Sequence, residues 1–406
     1  MTHIPPGFTA IDGELGIAGR PVSHWVEQAG DTPLFVYDRG LIARRIAELR
    51  AALPAEVHVH YAIKANPMPA LVGWMAGKVD GLDVASVGEL EVALAAGADP
   101  ATISFAGPGK RDAELERAIG VDVLINVESE RELERIAAIG ARTGRRPRVA
   151  VRVNPSFDLK ASGMRMGGGA KPFGIDAERV PAALRRIGAL DLDFVGFHLF
   201  AGSQNLSAEA LIDAQAKTIE LIAELSASAP RPPRLANIGG GFGIPYFPAD
   251  RPLDVGAVGA ALRERLAARP AALAETRFVI ELGRYLVGEA GVYLTRVIDR
   301  KVSHGEVFLI VDGGMHHQLA ASGNFGTVIR RNYPVANASR FGEPPAEPVN
   351  VVGCLCTPLD RLAEKAELAR AEPGDLVAVF MAGAYGLTAS PTAFLGHPAP
   401  RELLVG

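Results

Sequence analysis

Cysteine is nearly absent. Cys354 and Cys356 are the only two in 406 residues, and a single residue separates them. That spacing makes a poor disulfide framework, so the chain reads as cytoplasmic with free thiols. Long apolar runs are missing too. No uninterrupted stretch approaches the roughly 20 residues a membrane span needs, so no membrane association is expected. The opening stretch, MTHIPPGFTAIDGELGI, has neither a basic n-region nor an apolar h-region, and no signal peptide is expected. Excess charge of either sign is lacking. A formal net charge of −4 offers no footprint for nucleic acid or an anionic membrane.

What is present is ample apolar content, 48% of residues, in a chain too long for one ordinary core. After an initial LFVYD (34–38), β-rich runs alternate with longer segments at helical spacing. The runs are HVHYAIK (58–64), GLDVAS (81–86), ISFAG (103–107), VLINV (123–127), VAVRVN (149–154), VGFHL (195–199), LANIGG (235–240) and FVIEL (278–282). Intervening segments such as LEVALAAGA and LIAELSA place apolar residues at i, i+3 and i+4. Eight such repeats predict a closed parallel (β/α)8 TIM barrel over residues 31–280. After Glu281 the pattern changes. VYLTRVIDRKV, VFLIVDG, VNVVG, LVAVF and ELLV are strand-like with few helices between them. Residues 281–406, joined by 1–30, are therefore expected to form an antiparallel β-domain. The Gly-rich stretch 155–172 reads as a mobile loop, and 337–348 as a surface connection.

In a (β/α)8 barrel, chemistry gathers at the C-terminal ends of the strands. There the sequence places Lys64, Asp83 with Ser86, Arg152 with Asn154, His198, the run Gly239-Gly240-Gly241-Phe242-Gly243, and Glu281. Strand alternation puts Lys64 on one face with His58, His60 and Ala62. A lysine in a barrel mouth is partly desolvated, which lowers its pKa and suits imine formation. Taken alone it is more readily a surface lysine with its stem along the rim. The glycine run serves either as a tight turn or as a cradle of N–H groups for a phosphate. It does not fit G-x-G-x-x-G, which disfavours a nicotinamide cofactor. A buried Glu281 needs a partner, either a protonated ring nitrogen or an arginine such as Arg284 or Arg152. His198 is either a core histidine or a group stacked on a flat ring. The pairs His58/His60 and His316/His317 lack a third ligand at diagnostic spacing, so no metal is assigned.

YAIKAN (61–66), DVASVGEL (83–90), GFHLFAGSQ (196–204), GGGFG (239–243), ELGR (281–284), GCLCTPLD (353–360) and AYG (384–386) occur in that order. Together they resemble the motifs of the fold type III, alanine-racemase-like decarboxylases, which include the ornithine, arginine and diaminopimelate decarboxylases. The resemblance runs from about residue 30 to the C-terminus. DGGMHHQLAASGNFG (312–326), RRNYPVA (330–336), CTPLDRLAEK (356–365) and GAYGLTASPTAFLGHP (383–398) are most similar to the pyridoxal-dependent decarboxylases associated with the exosortase A system. They are also similar to the glutamyl-carrier-protein decarboxylases of aminoglycoside biosynthesis.

The resemblance implies pyridoxal 5′-phosphate as cofactor, and loss of the α-carboxylate through aldimine and quinonoid intermediates. By the same resemblance Lys64 forms the imine, His198 stacks on the ring and Glu281 pairs with its nitrogen. Ser203, Gly240, Gly241, Arg284 and Tyr385 hold the phosphate. Asp83, Glu89 and Arg152 line the cofactor pocket. Cys356 is the acid that reprotonates Cα, donated across a homodimer interface. Thr357, Asp360 and Tyr333 are the candidate substrate contacts.

Departures bear on the substrate. Thr357 stands where relatives carry an acid for a distal ammonium. Ala320 stands near the place of an arginine that reads a distal carboxylate in diaminopimelate decarboxylases. Phe200 replaces a second histidine, and ELGR replaces EPGR. The substrate is therefore expected to be an amino acid or an aminoacyl thioester, with an acyl carrier protein as a possible partner. A diaminopimelate- or ornithine-type activity on the free amino acid is the alternative. A racemase of the same fold and a non-catalytic homologue remain as further readings.

Overall fold

The structure is a computed structural model that describes residues 4–158, 160, 163–325 and 330–406. Leu159, Ala161 and Ser162 of the expected loop, and Gly326 of the 312–326 motif, lie outside the described residues. The chain divides into two compact units. One comprises Ile46–Ile244 and Pro252–Gly283, the other Met1–Arg45, Pro245–Arg251 and Arg284–Gly406.

The first unit is the barrel. Its strands are β1 (His58–Ala62), β2 (Gly81–Val84), β3 (Ile103–Phe105), β4 (Leu124–Val127), β5 (Arg148–Asn154), β6 (Asp193–Leu199), β7 (Leu235–Gly240) and β8 (Arg277–Leu282). Each pairs in parallel with the next, β8 pairs with β1, and so the sheet closes with no free edge among these eight. The β-rich runs predicted these strands because a parallel strand covered on both faces is apolar throughout. Tyr61, Phe105, Phe194, Phe197 and Phe278 are fully buried. Several outer helices start at side-chain caps close after a strand. Ser86, Ser129, Ser207 and Asp254 accept hydrogen bonds from the backbone N–H groups of Glu89, Glu132, Ala210 and Ala257.

The second unit is built on a mixed sheet. Its path runs Val335–Asn337, Leu376–Val379, Gly291–Ser303, Glu306–Val311, Glu347–Val352 and Arg361–Leu368. The expected all-antiparallel arrangement is corrected here. Glu306–Val311 pairs in parallel with Glu347–Val352, and Leu34–Asp38 in parallel with Arg401–Val405. The latter pairing also moves the boundary expected near residue 30. Leu34–Asp38 lies between Gly291–Leu294 and the C-terminal strand, which carries residues up to Arg45 into this unit. Among the described residues, the N-terminal stretch before residue 30 adds no strand to the large sheet. Thr9–Ile11, Glu14–Ile17 and Arg20–Pro21 form a small sheet of their own. Among the described residues, no helix is long and apolar enough to cross a membrane.

Candidate active site

The C-terminal rim of the barrel unit gathers most of the expected residues, with two local corrections. β1 ends at Ala62, and Lys64 sits in a 3-10 turn over Ile63–Ala65 rather than on the strand. Ser86 is the helix cap described above rather than a strand-end group.

Lys64 Nζ lies 3.8 Å from Glu281 Oε1 and 5.3 Å from the centre of the Phe200 ring. Its side chain is 42% exposed, against 8% for Glu281, so the amine faces outward over a buried carboxylate. Glu281 Oε2 is 2.9 Å from His198 Nε2 and accepts from Asn237 Nδ2 at 3.3 Å. Burial pushes the Glu281 carboxyl up. The His198 hydrogen bond and charge, then Lys64 and Arg152, outweigh it and bring the carboxyl down to about 2. Neither arginine raised as a direct partner of Glu281 holds it. Arg152 donates to Glu128 Oε1 at 2.8 Å and covers the Phe173 ring.

Asp83 accepts from Ser104 Oγ and is 3.1 Å from His60 Nδ1. Glu89 accepts from the Ala85 N–H, and burial raises its carboxyl pKa. The glycine run is required by close packing. A Cβ on Gly240 would meet the Glu281 carbonyl at 2.0 Å, and Gly239 and Gly241 have φ of +73° and +74°. Ser203 pairs with Met164 in a two-residue ladder. Its neighbour Gln204 clamps Ile244, donating from Nε2 at 2.6 Å and accepting at Oε1 at 3.1 Å.

In the second unit Arg284 donates to the Tyr246 hydroxyl at 2.6 Å and lies 4.7 Å from the Tyr385 ring centre. Tyr333 packs on Tyr246 with ring centres 4.9 Å apart. Cys356 and Thr357 lie on a loop spanning 353–360, with Cys356 exposed. Asp360 closes that loop. It is 2% exposed and accepts from the N–H groups of Met315 at 2.6 Å and Leu355 at 2.9 Å. Any Cβ on Gly314 or Gly353 would strike its carboxylate. Asp360 is thus a brace whose two oxygens are already engaged. Asp360→Ala removes both acceptors from buried donors. It should destabilise the protein by about 3 kcal/mol, and urea unfolding checks this.

Asn237, Glu128 and Tyr246 were missed from the sequence. Asn237 had a readable signal, being a polar residue within the apolar run LANIGG. Tyr246 had none, since an aromatic after Pro245 is ordinary.

Among the buried polar atoms of the described residues that have no hydrogen-bond partner are His198 Nδ1 and Asp83 Oδ2 of the barrel unit and, in the second unit, Arg284 Nε. Such groups are costly unless something binds them. With the rim lysine, the buried carboxylate and the glycine turn of the same unit, His198 and Asp83 fit a flat, nitrogen-containing aldehyde with a phosphate. A family model described as pyridoxal-dependent decarboxylase, pyridoxal binding domain, matches residues 39–288, and the chain belongs to that family. It is a decarboxylase that uses pyridoxal phosphate.

Among similar proteins is the L-glutamyl-[BtrI acyl-carrier protein] decarboxylase of Niallia circulans, 38% identical over 92% of this chain and 89% of that protein. The diaminopimelate decarboxylase of Aquifex aeolicus is 33% identical over 97% of this chain and 91% of its own length. The crystal structure of the M. jannaschii diaminopimelate decarboxylase superposes with a TM-score of 0.89 at 26% identity, covering 98% of this chain and 92% of that one.

Proposed function

We propose that this protein is a cytoplasmic homodimer that decarboxylates an aminoacyl group held as a thioester on an acyl carrier protein. The observation that carries the reading is the engagement of Asp360. A distal ammonium in a buried pocket needs a carboxylate partner, because an unpaired buried charge costs several kcal/mol. In the loop that bears Cys356 the one acid is 2% exposed and braced by two backbone N–H groups, and Thr357 offers only a hydroxyl. The similarity to a decarboxylase named for a glutamyl carrier protein supports the same reading. The α-carboxylate must be free to leave, so the thioester would use a second carboxyl of the amino acid. An ω-amino acyl thioester and CO2 would be the products.

When bound, pyridoxal phosphate supplies the electron sink for the leaving carboxylate. Lys64 is the proposed attachment point. Glu281 would hold a proton on the ring nitrogen, and His198 would cover the ring face. Ser203, Gly240, Gly241, Arg284 and Tyr385 are the proposed phosphate ligands. Asp83, Glu89 and Arg152 would shape the pocket around them. Cys356 of the partner subunit would deliver the proton to Cα, replacing the bond to carbon dioxide with one to hydrogen. Tyr333 and Thr357 are the proposed substrate contacts. Asp360 is proposed to serve the substrate only by bracing their loop.

Steady-state kinetics test the substrate. A glutamyl thioester on a carrier should be turned over, and free diaminopimelate and ornithine should be poor. A kcat/KM at or above ~10⁴ M⁻¹s⁻¹ for either free amino acid would overturn the proposal. Complementation tests the shared site. Lys64→Ala and Cys356→Ala chains, each inactive, should regain about a quarter of wild-type activity on mixing, because random assembly leaves half the dimers with one intact site of two. Free subunit exchange with no regained activity would show that the sites are not shared.

A further inference from the structure

The second unit contains a cavity of about 390 Å³, of whose lining the chemistry above uses only Tyr333. Its walls include Phe247, Pro248, Tyr333 and Pro334, and its charged lining residues are Arg331, Lys365 and Glu367. The apolar part is stiff, since two prolines flank the rings. Arg331 lies with its guanidinium 3.6 Å from the centre of the Phe247 ring. Stacking occupies the guanidinium face and leaves the in-plane N–H donors for an anion. The Lys365 side chain is 68% exposed and meets only the edge of salt-bridge reach with Glu306, at 3.7 Å. The cavity is thus a largely apolar, open space whose charged lining is two cations and one anion.

Within the second unit it lies near Arg284. Tyr333 forms one wall and packs on Tyr246, whose hydroxyl accepts from Arg284. Two aromatic rings therefore separate the cavity from the guanidinium assigned to the cofactor phosphate.

We propose that this cavity receives the phosphopantetheine arm of the carrier, with the arm's phosphate on Arg331 and Lys365 and its carbon chain along Phe247, Pro248 and Pro334. The inference rests on the thioester reading of the substrate. A long chain with a gem-dimethyl group and methylenes between its amides, and an anion at its far end, matches cations beside apolar walls. A free diamino acid would leave both features unused.

Binding to the holoenzyme tests the site without turnover. Titration calorimetry would compare 4′-phosphopantetheine, pantetheine lacking the phosphate, and inorganic phosphate. Phosphopantetheine should bind with a Kd below about 1 mM, roughly tenfold more tightly than pantetheine, and phosphate most weakly. Arg331→Glu should weaken phosphopantetheine at least tenfold and leave pantetheine within about twofold. Equal binding by variant and wild type, or phosphate binding as tightly as phosphopantetheine, would place the arm elsewhere. Kinetics separate the two readings. In Arg331→Glu the KM for a glutamyl thioester of phosphopantetheine should rise about tenfold at unchanged kcat, while the N-acetylcysteamine thioester is unaffected. If thioesters are turned over but Arg331→Glu changes neither binding nor KM, the cavity proposal falls and the substrate reading stands. If phosphopantetheine binds through Arg331 yet only free amino acids react, the substrate reading falls and the site stands.

Discussion

Lys64→Ala should lower kcat/KM by at least ~10³-fold while leaving the fold intact, because it removes the amine proposed to anchor the cofactor and not a packing group. The barrel rim offers a second lysine for comparison. Lys110 Nζ is 1% exposed at the side chain and donates to Gly107 O at 2.6 Å, Glu132 Oε1 at 2.8 Å and Asn126 O at 3.0 Å. Its donors are committed, so it cannot attack a carbonyl. Lys64 is 42% exposed and faces Glu281 across 3.8 Å. Glu281 keeps its His198 contact when Lys64 is truncated, so no buried charge is stranded. Borohydride reduction of the holoenzyme, followed by digestion and mass spectrometry, should place the reduced cofactor on the peptide bearing Lys64. The variant should carry none on that peptide. Cofactor fixed to another lysine, or activity within tenfold of wild type, would overturn the assignment.

The barrel was legible because its strands are apolar and bounded by helical periodicity, which local sequence displays. Leu34–Asp38 shows why such reading reaches a limit. LFVYD is as apolar as any barrel strand, yet its partners are Gly291–Leu294 and Arg401–Val405, more than 250 residues away. Nothing local encodes that pairing. Arg361–Leu368 went unread for a different reason. RLAEKAEL is rich in helix formers, but it pairs with Glu347–Val352 at the end of the sheet path and its charged residues Glu364, Lys365 and Glu367 are exposed, the last two at the rim of the open cavity. At the site, Lys64, His198 and Glu281 stood out as polar residues at the ends of apolar runs. Their mutual contacts did not, since each joins residues more than 80 positions apart in the sequence. The role of Asp360 was also hidden. An acid four residues after Cys356 looks available to a substrate until the N–H groups of Met315 and Leu355 are seen to occupy it.

Glu281→Gln tests the electrostatic half of the site. The amide retains an oxygen that can accept from His198, so the side chain should keep its place beside His198 on β6 and Asn237 on β7. What it loses is the charge that would keep a ring nitrogen protonated. Removing one such preorganised charge from a buried site costs on the order of 10²–10³-fold in kcat. The KM and the cofactor content should stay within a few-fold of wild type. The apo protein provides a readout that activity does not confound. Glu281 has a folded pKa of about 2 against an ordinary 4.5. A depressed carboxyl stabilises the fold above its unfolded value, and that contribution fades as pH falls from about 4.5 through about 2. Urea unfolding of apo wild type should therefore lose stability across that window. Glu281→Gln should lose less, because position 281 no longer titrates. Parallel acid limbs for the two proteins would show that the His198–Glu281 pair is not ionic. Activity of the variant within about fivefold of wild type would remove Glu281 from the proton-holding role.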